Sequence, residues 1–323
     1  MKKWTEPPFP GVGSAALFLA VAATFAPIGC GPSGEASVVP EGAGAAPTST
    51  GSIMVRLHRY LESGASQPYE ELGITALFPR YQPADETLVD TLLGERVPEI
   101  DVAIDQCEAA APLVPLRPRR LAPADGATIE LADVGNLSVE FAGERITLPT
   151  QTFPDLLHVI DGVTYVADER SGLRFDPAES YTVHASGTDE VARFDVVLDA
   201  PEDLGEVTID GVSPADQTPI VRRGAPIAIT WEGGGGYGDE VIATIRWSGM
   251  GLPQSISCRM RDDGRFVVPG DATAALQDPL VSGEAEMTVS RVRQTAFRAK
   301  GLASADLSFV LSTSFLVRFD AVP

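Results

Sequence analysis

Between Phe309 and Phe319 the large apolar residues fall on every second position: Phe309, Leu311, Phe315, Val317 and Phe319 share one parity, and Ser308, Ser312, Ser314 and Arg318 the other. A period of two is the repeat of an extended strand with one buried face, and no helix gathers those residues on one side. The pattern recurs where Ile53, Val55 and Leu57 alternate with Met54, Arg56 and His58. Further strands are expected near 73–79, 100–106, 136–147, 180–186, 191–199, 226–231, 239–248, 254–261, 264–268 and 285–293. With 31 Gly and 26 Pro to supply turns, closely spaced short strands predict an all-β chain of sandwich type rather than a doubly wound α/β sheet. Two connecting helices are expected. Asp85 caps a turn bearing Leu88, Val89, Leu92 and Leu93 before Gly94, and Asp271 caps a segment through Leu276 that Pro279 ends.

A chain of 323 residues is too long for one ordinary sandwich and suits two domains, 52–200 and 201–323. The break falls in the polar stretch from Asp199 to Gly205, and 111–123, with four prolines and three arginines, marks a weaker one. In the second half, alternation sets Trp231 with Ile229 and Trp247 with Ile245, where a sandwich core needs bulk.

The N-terminus is of another kind. Lys2 and Lys3 precede a short apolar run, Ala15 to Ala26, with the layout of an export signal and too little length to span a bilayer. It ends in Pro27-Ile28-Gly29-Cys30, which resembles the lipobox of bacterial lipoproteins. That resemblance implies cleavage after residue 29 and acylation of Cys30, although Pro27 stands where the family usually has an aliphatic residue. Residues 30–51 are the lipidated Cys and a tether: from Gly31 to Gly51 the chain is Gly, Ser, Ala, Pro, Thr and Glu with hardly a large apolar side chain, the composition of a disordered segment. Gly31 is not the Asp that holds enterobacterial lipoproteins at the inner membrane, so the resemblance implies a place in the cell envelope, at the outer membrane.

Phe175-Asp176-Pro177-Ala178-Glu179-Ser180-Tyr181-Thr182-Val183 resembles the corner motif of fibronectin type III domains, with Pro177, Tyr181 and Val183 matching and Phe175 and Glu179 departing. It implies a tyrosine whose hydroxyl returns to the backbone across a sandwich corner. The second half is similar to immunoglobulin-like domains in pattern alone, without their Cys–Trp–Cys framework. The whole layout resembles lipoproteins of unassigned activity from high-GC Gram-negative bacteria. An arginine bias, with Lys2, Lys3 and Lys300 the only lysines and Asn136 the only asparagine, agrees with such a genome.

Once Cys30 is set aside, Cys107 and Cys258 remain, a pair that an oxidising compartment allows to bond. Alternation places Cys107 in phase with Asp101 and Asp105, facing out, but Cys258 with Ile256 and Met260, facing in. A bond between them therefore needs a bend or bulge, and two separate thiols are the alternative.

A formal net charge of −21 disfavours nucleic acid, which needs a basic footprint. His58 and His184 read as solvated residues on polar strand faces, His158 has no ligand cluster beside it, and no metal or cofactor is expected. Gly233-Gly234-Gly235-Gly236-Tyr237-Gly238 satisfies G-x-G-x-x-G, yet the next residues alternate like a strand, whereas a dinucleotide site needs a helix there. The segment reads as a flexible loop, and Gly233, Gly235, Tyr237 and Gly238 are candidates for contact with an envelope protein or glycan. Asp262-Asp263-Gly264 reads as a tight hairpin turn, with no calcium-loop spacing. The expected function is a lipid-anchored structural or binding module with no catalytic residues. The alternatives are a carbohydrate-acting enzyme, built on two carboxylates, or an accessory subunit of an outer-membrane assembly.

Overall fold

The computed structural model describes residues 47–65, 67–81, 102–110, 129–156, 160–169, 173–234, 238–247, 254–274 and 283–320. The signal segment, Cys30, the Asp85 helix, the 111–123 break, His158 and Gly235–Tyr237 lie outside them. The described chain is all-β, with one single-turn helix.

In chain order the strands are β1 (Thr48–Leu61), β2 (Tyr69–Leu77), β3 (Pro79–Tyr81), β4 (Gln106–Ala110), β5 (Ile129–Leu131), β6 (Leu137–Phe141), β7 (Glu144–Thr147), β8 (Thr150–Leu156), β9 (Ile160–Asp168) and β10 (Ser180–Ala185). There follow β11 (Phe194–Asp199), β12 (Thr208–Ile209), β13 (Ile220–Arg222), β14 (Ile227–Thr230), β15 (Glu240–Trp247), β16 (Gln254–Arg261), β17 (Arg265–Val268), helix α1 (Gly270–Ala274), β18 (Gly283–Phe297) and β19 (Ser304–Asp320). β1 begins at Thr48, so the last residues of the expected tether are already strand, with Thr50 opposite Ser304.

The described strands form three sheets. The largest runs β2-β9-β5-β3-β1-β19-β18-β15-β16-β4, with β13 and β8 attached to β19 and β9. The others are β11-β10-β6-β7 and β12-β14-β17. The long strands β18 and β19 pair antiparallel from Gly283–Phe319 to Phe297–Ala305, and β19 lies parallel to β1 from Thr50–Ser304 to Leu61–Phe315. The last strand of the chain is therefore the neighbour of the first.

The alternation of β19 explains the layering. Leu307, Phe309 and Leu311 enter one core with Ile53, Val55 and Leu57 of β1 and Leu137, Val139, Tyr181, Val183 and Phe194 of the four-stranded sheet. Farther along the same face, Phe315, Val317 and Phe319 enter a second core with Val241, Ile245 and Ile256, with Ile209, Ile227 and Ile229 of the three-stranded sheet, and with Trp231 just after β14. One long sheet thus backs two smaller ones, and each large side chain withdrawn from water contributes about 1.5–3 kcal/mol. Trp247 shares the second core and meets Phe319 edge-on, with ring centroids 5.5 Å apart. The opposite parity of β19 is exposed at Leu316 and Arg318 but not through its middle, contrary to the simplest reading of the pattern. Ser308, Ser312 and Ser314 are buried, and their hydroxyls are satisfied across strands: Ser314 with Thr288 at 2.7 Å, Ser312 with Ser290 at 2.8 Å.

The corner motif forms. The buried Tyr181 hydroxyl donates to the Arg174 carbonyl at 3.2 Å and accepts from the Asp176 amide at 2.9 Å, and burial pushes its phenol up to about 12. The Tyr181→Phe variant is expected to lose about 0.5–1.5 kcal/mol, since the Asp176 amide and the Arg174 carbonyl lose the hydroxyl that joins them. Urea unfolding checks this, and an unchanged midpoint would deny the corner any energetic role.

Candidate functional site

The residues richest in buried polar chemistry lie where the two cores meet. Arg291 and Arg293 of β18 share the parity of Met287 and Val289 and so face inward, opposite Leu311 and Phe309 of β19. Past them runs the connector between β11 and β12, residues 200–207, which carries the chain from one small sheet to the other. Arg291 is fully buried and donates to the carbonyls of Glu202 at 2.8 Å, Asp203 at 2.6 Å and Glu232. Its Nε lies 2.8 Å from Asp262 Oδ2, and Asp262 Oδ1 accepts from Arg291 Nη2 at 2.8 Å and from Trp231 Nε1 at 2.7 Å. Arg293 binds Asp239 through two contacts of 2.6 and 2.7 Å and donates to the carbonyls of Asp199 and Ala200. Arg59 of β1 adds an ion pair to Asp203. Three arginines therefore hold the stretch expected to be a domain break, a planar-fork task for which lysine is a poor substitute.

Within the glycine run, this cluster explains Gly234. A Cβ on Gly234 would come within 2.8 Å of the buried Arg291 Cζ and 3.0 Å of Asp262 Oδ2, so only glycine lets the backbone lie across that ion pair. The beginning of the run is packed rather than free, Gly233 lying against the Asp263–Gly264 backbone, and strand β15 follows it, the wrong element for a phosphate cradle. Gly238 has φ of 99° with open space beside it. Asp262-Asp263-Gly264 is a turn but not a hairpin. β16 pairs with β15 and β4 whereas β17 pairs with β14, so the turn crosses between sheets, and Asp262 folds inward instead of facing water.

Cys107 and Cys258 are bonded, opposite one another in the β4–β16 pairing and 151 residues apart in sequence. The phase difficulty is resolved ahead of β4. Residues 102–105 are not strand, as had been expected of 100–106. Asp105 takes φ of 63°, and a turn from Ala103 O to Gln106 N restarts the alternation so that Cys107 and Ala109 face the second core.

The histidines depart from the solvated reading. His184 Nδ1 lies 2.5 Å from Asp195 Oδ1 and its Nε2 3.5 Å from Glu140 Oε2. Arg193 and Arg145 extend this to a charged ladder across the four-stranded sheet. The hydrogen bond from His184 holds the Asp195 carboxyl below its usual range, and Arg145 does the same for Glu140. His58 is half-buried and stacked on Tyr60 with centroids 4.1 Å apart, and Tyr60 faces Tyr69 at 5.9 Å. Burial, then Arg56, lowers the His58 pKa from 6.5, against smaller opposing effects of Glu286 and Glu71. The folded state thus binds fewer protons than the unfolded one at mildly acidic pH. The His58 contribution is full above about 6.5 and is lost as pH falls through 6.5 toward the folded value. Urea unfolding over pH 4.5–7.5 is expected to show a shallower pH slope in His58→Gln than in the parent. Parallel slopes would contradict the assignment.

Among the described residues no group of three or more His, Cys, Asp or Glu side chains is placed to hold a metal ion.

No family model matches the chain, and no curated protein is similar to it. Two solved structures show a remote likeness. The FN1–FN3 domains of chicken CNTN1 are 13% identical with a TM-score of 0.17, covering 69% of this chain, which spans 65% of that fragment. The yeast delta-COP-I mu-homology domain is 11% identical with a TM-score of 0.23, covering 84% of this chain and 98% of that one. At such TM-scores neither likeness bears on what this protein does.

Proposed function

We propose that the protein is an exported lipoprotein, held at the cell envelope by acylated Cys30, whose sandwich unit serves as a structural or binding module rather than an enzyme. The observation that carries this is the order of parts along the chain: an apolar export signal, a small-residue motif closing on Cys30, a polar spacer, and a strand-rich unit beginning at Thr48. The 18 residues from Cys30 to Thr48 (48 − 30) reach at most about 60 Å when fully extended, enough to stand the unit clear of a lipid surface. The Cys107–Cys258 disulfide supports the same reading, because such bonds persist in oxidising compartments outside the cytoplasm. Its partner is a protein or glycan of the envelope.

Cys30→Ser is the direct test. The parent chain is expected in the membrane fraction and the variant in the soluble one. A variant still retained by membranes would overturn lipid anchoring. An envelope pull-down with the anchored chain that recovers no protein and no glycan would overturn the binding-module reading.

A further inference from the structure

Among the described residues only two aromatic side chains are exposed, and they are partners. Tyr60 is 41% and Tyr69 66% accessible, while the other tyrosines, the phenylalanines and both tryptophans whose burial is known are buried or half-buried. The two sit directly opposite in the β1–β2 pairing. Their rings are tilted by 39° rather than stacked flat, so neither covers the other. On the inner side the half-buried His58 lies against Tyr60 at 27°, near enough to parallel to fix the Tyr60 ring. The His58 Nε2 atom is itself buried and has no hydrogen-bond partner. A cross-strand tyrosine pair adds some hairpin stability by itself, but that does not account for a preset row of three rings with two of them open to solvent.

The rim of this row restricts what it can take. The charged side chains acting on His58 are Arg56, Arg246, Glu71 and Glu286, two of each sign. Next along the face Ser314 stands opposite Tyr60 and Ser312 opposite His58, both buried and hydrogen-bonded to β18, with Leu316 49% exposed beyond them. A polyanion would meet the −21 charge of the whole chain, and a polycation would find no net local charge to select it. A ring with one apolar face and a hydroxyl-bearing edge satisfies both parts of the surface: its C–H face lies on the tyrosines, and its hydroxyls reach the mixed carboxylate and guanidinium rim.

We infer that Tyr60 and Tyr69, with His58 as the positioning residue behind them, form a stacking site for a pyranose ring of an uncharged glycan. This rests on the binding-module reading and places the ligand contact on the β1–β2 hairpin rather than in the Gly233–Gly238 loop.

The test titrates cellohexaose, maltohexaose and N-acetylchitohexaose separately into the full-length chain in detergent, followed by tyrosine fluorescence and saturation-transfer NMR. At least one saccharide is expected to bind saturably. Tyr60→Ala and Tyr69→Ala are each expected to weaken it about ten-fold, Tyr69→Phe to retain it, and Tyr237→Ala to leave it unchanged. Because alanine weakens a strand pair, Tyr60→Thr with Tyr69→Thr is made as well, with folding checked by circular dichroism. The inference is overturned if no saccharide binds, if the folded double-threonine variant binds as the parent does, or if the tyrosines instead mediate self-association or capture of a protein. An envelope pull-down that still recovers a partner in those cases leaves the module reading standing, and one that recovers nothing removes both.

Discussion

Replacing Arg291 with methionine is expected to cost about 3–5 kcal/mol, because it leaves Asp262 charged and buried without its partner. The loss does not come from the ion pair alone. Arg291 also serves three main-chain carbonyls, those of Glu202, Asp203 and Glu232, which lose their donor together. Removing both charges with Arg291→Met and Asp262→Leu is therefore expected to recover only part of the stability, whereas an isolated buried pair replaced by apolar residues is often neutral or better. Gly234→Ala attacks the same place by volume. Its new methyl meets a guanidinium that cannot retreat, and overpacking of this kind costs about 1–3 kcal/mol. Urea unfolding of the three variants checks the ordering. If Arg291→Met falls within about 1 kcal/mol of the parent, the seam does not hold the two cores together.

The second large effect concerns the disulfide. Cys107 and Cys258 close a loop of 151 residues, and eliminating such a bond costs about 2–5 kcal/mol, in the chain-entropy account by freeing the unfolded chain. β4 feels it most, as a five-residue strand that among the described residues pairs with β16 alone. The Cys107→Ser, Cys258→Ala variant is expected to unfold at lower urea than the oxidised parent, and a thiol reductant to bring the parent to the level of the variant. Coincident curves for the oxidised parent and the variant would show that pairing alone secures β4.

How far the sequence foretold this can be seen strand by strand. β1, β14, β15, β18 and β19 were legible because one face of each enters a core, so burial writes itself as alternation. β8 and β9 were not. Pro154 and Gly162 interrupt their pattern, and the register between them shifts from Phe153 to Leu156, which breaks the period that reveals a strand. The disulfide stayed open for a similar reason: parity was carried through Asp105, whose left-handed conformation resets it.

The seam left a signal that was readable in principle, since Arg291 and Arg293 occupy the apolar parity of β18. A charge on that parity marks either an error of register or a buried partner, and only the fold shows that Asp262, remote in sequence, is the partner. The tyrosine pair left less trace. Tyr60 and Tyr69 look like ordinary strand residues until β1 and β2 are set in register and the other tyrosines, phenylalanines and tryptophans of known burial are found buried or half-buried. The serines of β19 mislead in the other direction, because small hydroxyls bonded to one another across strands can be buried at little cost.

Mass spectrometry of the N-terminal peptide of the membrane-extracted protein tests the central claim most directly. The account predicts that the mature chain starts at Cys30 and carries a diacylglycerol thioether on its sulfur. A chain that starts elsewhere, or a Cys30 of unmodified mass, would contradict it.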